Sequence, residues 1–349
     1  MQLQTSIRKY KLLLILGLVV IVLVTGIIFA ASSLLSSNGQ EIPSAKETSQ
    51  TSGSTSTGNL KGSTSKLSGS TTSTRNLKGL TLRINQIETC NPSVVSAYVA
   101  VSSDGGVVNK NFTKKDVKVF LDNAQITNFD FNSVDTTKTP LTSMLVIDHS
   151  GSMAGAAIDN AKSAATGYVN NLLPNDQVGV IQFSNTVDVL AVISPNKSAS
   201  VNAIAGIAAS GNTSVYDAIS KGVSTVPDCG RKALILLSYG DDTSSTGNQQ
   251  TATNDANRAN LPVFSVGIKG EGFNPAVIKA ISESTGGQYL EANTPTEISN
   301  LYKNIDGQLT GQFVANLKLT IPKNGAVHTL KITSVVDGSP TTSQRSFVY

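Results

Sequence analysis

From Leu80 to about Val134 apolar positions alternate with polar ones, and no helical period is visible. LTLRINQIE (80–88) and SVVSAYVAVS (93–102) read as half-buried strands, and Asp104-Gly105-Gly106 reads as a hairpin turn. DVKVFLDN and ITNFDFNSV each add a short strand. After Pro140 the pattern changes to strand and helix in alternation. Strands are expected at 142–147, 177–184, 187–193, 233–238 and 262–268, and helices at 155–172, 198–209, 214–225, 248–259, 274–284 and 295–309. IDNAKSAATGYVNNLL puts Ile158, Ala161, Ala165, Tyr168, Val169 and Leu172 on one face. KALILLS is apolar throughout, as a strand covered on both sides must be. Repeated strand–helix units predict an α/β fold, a doubly wound and mostly parallel sheet with helices on both faces. Beyond Leu309 strand patterns return in FVANLKLTIP, HTLKITSVV and SQRSFVY.

The N-terminal end follows different rules. Leu12 to Ala31 is a run of 20 residues without a charge, preceded by Arg8, Lys9 and Lys11. A helix of about 20 apolar residues spans a bilayer, and its basic flank stays in the cytoplasm. The organisation read from this is a cytoplasmic N-terminus at 1–11, a transmembrane signal-anchor at 12–31, and the bulk outside the cell membrane. A cleaved signal peptide with secretion of the rest is the alternative, although apolar signal cores are shorter than this run. Residues 32–77 are rich in Ser, Thr and Gly with little to bury, so a disordered stalk is expected. A β segment at 78–138 and an α/β domain at 139–310 follow. The C-terminal β segment at 311–349 can complete one sandwich with 78–138; two separate modules are the alternative.

Composition removes several function classes. Charged residues make up 14% of the chain and its net charge is +4. Most of that charge sits at Arg8, Lys9 and Lys11, so there is no clustered basic face for nucleic acid. Phosphate-loop, Gly-x-Ser-x-Gly and HExxH motifs are absent. Asp148, His149 and Ser150 are contiguous, whereas an acid–base–nucleophile relay converges from separate segments. No enzyme is expected.

The candidate chemistry lies in LTSMLVIDHSGSMAG (141–155), an apolar strand that runs into one carboxylate and two hydroxyls. Open parallel sheets bind ligands beyond the carboxyl ends of their strands. Asp148, Ser150 and Ser152 sit there and offer hard oxygen donors suited to Mg²⁺ or Mn²⁺. A site rich in neutral hydroxyls leaves the cation able to accept a carboxylate from a partner. The plainer alternative is a strand–helix cap, since Asp and Ser cap helices well.

DHSGSM, with GNTSVYDAI at 211–219 and ILLSYGDD at 235–242, resembles the von Willebrand factor type A family, and so does SVGIKGEGFNPAVIKAISESTGGQYLEANT further on. The resemblance covers about 140–310. It implies a metal-ion-dependent adhesion site, with Asp148, Ser150 and Ser152 in the first loop and Thr213 in the second. The family's third loop usually reads Ser/Thr-Asp-Gly, and this chain has Ser238-Tyr239-Gly240. A neutral phenol cannot supply the missing charge. Asp241 or Asp242 can compensate, with Asp241 preferred; a decayed site is the alternative. The flanking β segments resemble those beside such domains in prokaryotic surface proteins. Cys229 precedes the strand at 233, at the end of the sheet opposite the site, and Cys90 lies in the first β segment. A Cys90–Cys229 disulfide would pin the α/β domain to its base, and two free thiols are the alternative. The function implied is cation-dependent binding of a carboxylate-bearing protein, as in adhesion, by a membrane-anchored protein. The alternative is a metal-independent structural or assembly subunit of an envelope complex.

Overall fold

Two β layers and an α/β domain make up the described residues of a computed structural model, which are 81–102, 112–239, 241–269, 274–336 and 339–349. The expected turn at 104–106 and everything before Thr81 lie outside them. The alternating segment folds into β1 (Thr81–Glu88), β2 (Val95–Ser102), β3 (Lys118–Leu121), β4 (Ala124–Ile126) and β5 (Phe129–Ser133). The α/β domain runs β6 (Leu141–Asp148), α1 (Ala156–Asn171), β7 (Gln177–Phe183), β8 (Val187–Ser194), α2 (Lys197–Ala205), α3 (Val215–Thr225) and β9 (Arg231–Ser238). It continues with α4 (Gln249–Arg258), β10 (Val263–Ile268), α5 (Ala276–Ser284), β11 (Tyr289–Ala292) and α6 (Ile298–Thr310). Last come β12 (Phe313–Leu317), β13 (Val327–Val336) and β14 (Ser339–Val348).

The central sheet has the order β11-β10-β9-β6-β7-β8. All its pairings are parallel except β7 with β8. Strand alternation sorts its side chains between two cores. Leu145, Ile147, Ile235 and Leu237 face the side covered by α1, α2 and α6. Met144, Val146, Leu234 and Leu236 face the side covered by α3, α4 and α5. Both faces are apolar, which is why β6 and β9 are buried along their full length apart from Thr142. Each fully buried Leu or Ile contributes about 1.5–3 kcal/mol. β11 is a strand that periodicity did not mark; its four residues include no continuous apolar run.

The β layers are two four-stranded sheets, β1-β2-β12-β5 and β14-β13-β3-β4. They share one core, in which Phe131 stacks on Phe313 with ring centroids 5.2 Å apart and Phe112 meets both edge-on. Strands from before and after the α/β domain therefore make one sandwich. β12 lies between β2 and β5, and Phe313 is opposite Ser133. The inserted domain leaves and returns through neighbouring strands.

A bulge in β1 at Asn85 ties the two parts together. Bulges re-aim side chains, and here Asn85 and Gln86 are both buried against the α/β domain. Gln86 donates to the Gly230 carbonyl at 2.7 Å and accepts from Lys232 N at 3.0 Å. Asn85 donates to the Gly286 carbonyl at 2.8 Å and accepts from the Gln312 amide at 2.9 Å. Beside them Cys90 and Cys229 form a disulfide. The Lys232 ammonium is buried near this bond and donates to the carbonyls of Pro227 and Asp228. Burial pushes its pKa down.

The expectation of a single-pass anchored protein with its bulk outside the cell is corrected. No helix among the described residues is long and apolar enough to cross a membrane. The longest, α1, has 16 residues, about 24 Å at 1.5 Å per residue, short of the roughly 30 Å hydrocarbon core. The runs 12–31 and 32–77 lie outside the described residues.

The disulfide closes a loop of 139 residues. Replacing both cysteines with alanine should lower unfolding free energy by about 2–5 kcal/mol, as read from urea denaturation. An unchanged midpoint and slope would show that the polar junction alone holds the two parts together.

Candidate functional site

Three loops converge beyond the carboxyl ends of β6 and β9. In the first, β6 ends at Asp148 and a short 3-10 turn follows at Gly151–Met153. Asp148 is fully buried, at 0% exposure. Its Oδ1 accepts from Ser150 N at 2.7 Å. Its Oδ2 accepts from the Ser238 hydroxyl at 2.8 Å and from Tyr239 N at 3.2 Å. The Ser150 and Ser152 hydroxyls are 3.0 Å apart. Burial pushes the Asp148 carboxyl up, against the opposing hydrogen bonds from Ser150, Ser238 and Tyr239 N. Among the described residues no ion pair neutralises it.

The second loop is tied to the first by backbone bonds. Gly151 N donates to the Gly211 carbonyl at 2.8 Å, and Ser210 N donates to the His149 carbonyl. Gly211 has a φ of +80°, and a Cβ there would collide with the Asn185 side chain. Glycine at this position lets the loop close down on its neighbours. Thr213, next in the loop, is buried. Its carbonyl accepts from Thr243 N at 2.8 Å and Ser244 N at 3.1 Å, and its N–H donates to the Thr243 hydroxyl at 3.1 Å. These bonds seat the second loop against the third.

The third loop separates its two aspartates. Asp242 accepts from Tyr216 N at 3.2 Å, in the first turn of α3, and from the N–H and hydroxyl of Ser245. It acts as a cap and a turn former. Asp241 is exposed and accepts from Asn274 N at 3.3 Å, toward the start of α5. Tyr239 supplies its backbone N–H to Asp148, while its ring packs against the apolar core. The structure thus joins Asp148, Ser150 and Ser152 by direct bonds and brings Thr213 in through the backbone. Asp241 is bonded away from them, at Asn274. Ser238 is a member that sequence reasoning passed over, although its place just after an apolar strand marked it as a loop hydroxyl. His149 Nδ1 lies 2.9 Å from the Ala208 carbonyl and donates to it, while its buried Nε2 has no hydrogen-bond partner and so is not bonded to Ser150.

The donors fit a hard divalent cation in kind. They are one buried carboxylate and hydroxyls from two loops, with the carboxylate charge unneutralised. They are sparse in charge, because among the described residues Asp148 is the one acidic group bonded into the cluster. Among the described residues, the only group of three or more His, Cys, Asp and Glu close enough to hold a metal is Glu88 with Cys90 and Cys229. Those two cysteines are bonded to each other, so that group is no metal centre.

The third loop is also held from α3. The Asp217 carboxylate accepts from Thr246 N and Gly247 N, both at 2.8 Å, and from the Thr246 hydroxyl. Burial pushes Asp217 up, and those bonds outweigh it and leave its pKa lowered. Asp217→Ala should destabilise the chain by about 1–3 kcal/mol, the worth of hydrogen bonds to a charged group. It should also speed hydrogen exchange at Thr246 and Gly247 more than in the strands. Unchanged protection at those two amides would refute the clamp.

Comparison with known proteins follows the same outline. Residues 144–304 match the family model of the von Willebrand factor type A domain. The uncharacterized protein sll0103 of Synechocystis sp. is 25% identical over 212 residues, 59% of this chain and 50% of that protein. Human inter-alpha-trypsin inhibitor heavy chain H4 is 25% identical over 193 residues, 50% of this chain and 21% of that protein. The chain therefore spans half or less of the length of these relatives. The solved structure of a von Willebrand factor type A protein from Catenulispora acidiphila aligns with a TM-score of 0.46 at 13% identity, over 77% of this chain and 72% of the other. Residues 144–304 of this chain are a von Willebrand factor type A domain.

Proposed function

We propose that this domain binds a protein partner through a divalent cation held at the loops beyond β6 and β9. The observation that carries this reading is Asp148: a carboxylate at 0% exposure, beside paired serine hydroxyls, with no cationic side chain among the described residues to neutralise it. Burying such a charge alone is costly, and a cation would offset that cost. Asp148, Ser150, Ser152 and Thr213 would hold it, with Mg²⁺ or Mn²⁺ the metals that match these oxygens. When bound, the cation supplies a Lewis-acidic face for a partner's carboxylate. Tyr239 adds no negative charge, so more of the cation's charge is left for that carboxylate. Asp241, on the rim, is placed to contribute only through a rearranged loop or a bridging water. This reading makes the module a binder rather than an enzyme.

A second reading has its own support. Both oxygens of Asp148 already accept internal bonds, and the half-buried Tyr239 ring packs against the core. The same loops can therefore dock a partner without metal, as an assembly subunit would.

Titration of Mg²⁺ and Mn²⁺ into the full chain, beside Ser150→Ala/Ser152→Ala, separates the two. Metal at a hundred times its Kd should stabilise the parent by about 2.7 kcal/mol and leave the double variant unmoved. No calorimetric or thermal response of the parent at millimolar metal gives the lead to metal-free docking. The pH dependence has a definite sign. The raised carboxyl of Asp148 favours folding in its protonated form. That contribution is full at low pH and is lost as pH rises through the raised pKa. Metal needs the ionised form, so its affinity should climb over the same rise. A pH-independent affinity would exclude Asp148 as a ligand.

A further inference from the structure

A cavity of about 470 Å³ lies where the sandwich meets the α/β domain and shares no lining residue with the loops just described. It is lined from β1 by Arg83, from β14 by Ser343 and Arg345, and from the end of α5 by Glu283, Ser284 and Gly286. Its unusual member is Arg345. The residue is 8% exposed, yet no carboxylate among the described residues pairs with it. Nε is buried without a hydrogen-bond partner. Nη2 reaches Asn257 Oδ1 only at 3.4 Å. A guanidinium carries five donors in a rigid fork, so most of this one's capacity is unspent. Burial holds its pKa down at about 10, which still leaves it charged at neutral pH.

The surroundings are built to hold it there. Gly286 has a φ of +86°, and a Cβ at that position would collide with Arg345 Nη1 and with the carbonyl of Asn85. Glycine is required for the guanidinium to lie in this place. Arg83 is fixed alongside by donation from Nη1 to the Gly287 carbonyl at 2.9 Å. The Ser343 hydroxyl accepts from Ile84 N at 2.9 Å, which leaves its own proton free to be donated. Two arginines and three serines line the cavity with a single acidic residue, Glu283, which is exposed. Stranding a buried cation without a partner is costly, and forked donors of this kind match carboxylate and phosphate oxygens.

We propose that this junction cavity is a binding site for a small oxyanion, of the carboxylate or phosphate kind, held chiefly by Arg345 with Arg83 and Ser343. The site is independent of the cation proposed for the loops at Asp148, and it needs no metal. An anion bound there would bridge β1, β14 and the 283–287 turn, and so would brace the α/β domain on its base.

The test uses the full chain in excess chelator, which silences the other site. Inorganic phosphate and citrate are titrated by calorimetry and thermal shift, with chloride at matched ionic strength as the control. Saturable binding of either anion above the chloride response is expected, and which one binds reports the class. Arg345→Gln should weaken it about tenfold or more, as loss of charge-assisted hydrogen bonds implies. Glu283→Gln should tighten it by removing a like charge, and this exposed change keeps the proposal testable if Arg345→Gln fails to fold. Responses no larger than chloride, or binding that neither variant alters, would overturn the proposal.

Discussion

An inserted domain must begin and end at nearly the same point in space. Here that constraint is met by one antiparallel pairing, β5 with β12, in which Ser133 lies opposite Phe313. Everything else hangs from it. β12 also pairs with β2, so the pairing that closes the insertion completes the first sheet of the sandwich. The Phe131–Phe313 stack sits on this same pair of strands and buries it. Val134 N donating to the Gln312 carbonyl extends the ladder by one more bond toward the domain. The orientation of the α/β domain is then held by the bulge residues, Asn85 and Gln86, and by the disulfide.

How far this could be read from the sequence depended on whether the signal was local. KALILLS announced a doubly covered strand, and β9 is such a strand. The apolar face of IDNAKSAATGYVNNLL announced α1, whose buried residues include Ile158, Ala161, Ala165, Tyr168 and Val169. β11 carried too little pattern in Tyr289–Ala292 to stand out. The bulge did leave a trace. Leu82 and Ile84 keep the two-residue period, and Ile87 then breaks its parity, which is what an extra residue does. The polar junction left none, because Asn85, Gln86, Gln312 and Gly286 meet only through long-range packing. Nothing in the strand pattern of SQRSFVY marks Arg345 as buried, yet it is.

The site shows the same division. Asp148, Ser150 and Ser152 are close in sequence, and one loop suffices to join them. Asp241 and Asp242 are adjacent, and no linear feature separates their roles. Tertiary contacts do: one caps α3 and the other meets Asn274. Tyr239 donates its backbone N–H to Asp148, while its half-buried side chain packs against the core.

The position of β12 between β2 and β5 also sets an order of events. As the chain emerges from a ribosome, β5 has no sheet partner on that side until the whole α/β domain has followed it. Domains fold as units and N-terminal parts appear first. The α/β domain can therefore condense while β5 waits for β12, with β1 already able to pair with β2 and β3 with β4. Its folding shortens the distance that β12 must search, since it delivers residue 313 beside residue 133. Cys90 and Cys229 are both available before that moment. An early disulfide would convert the slow closure of a long loop into the docking of two tethered halves.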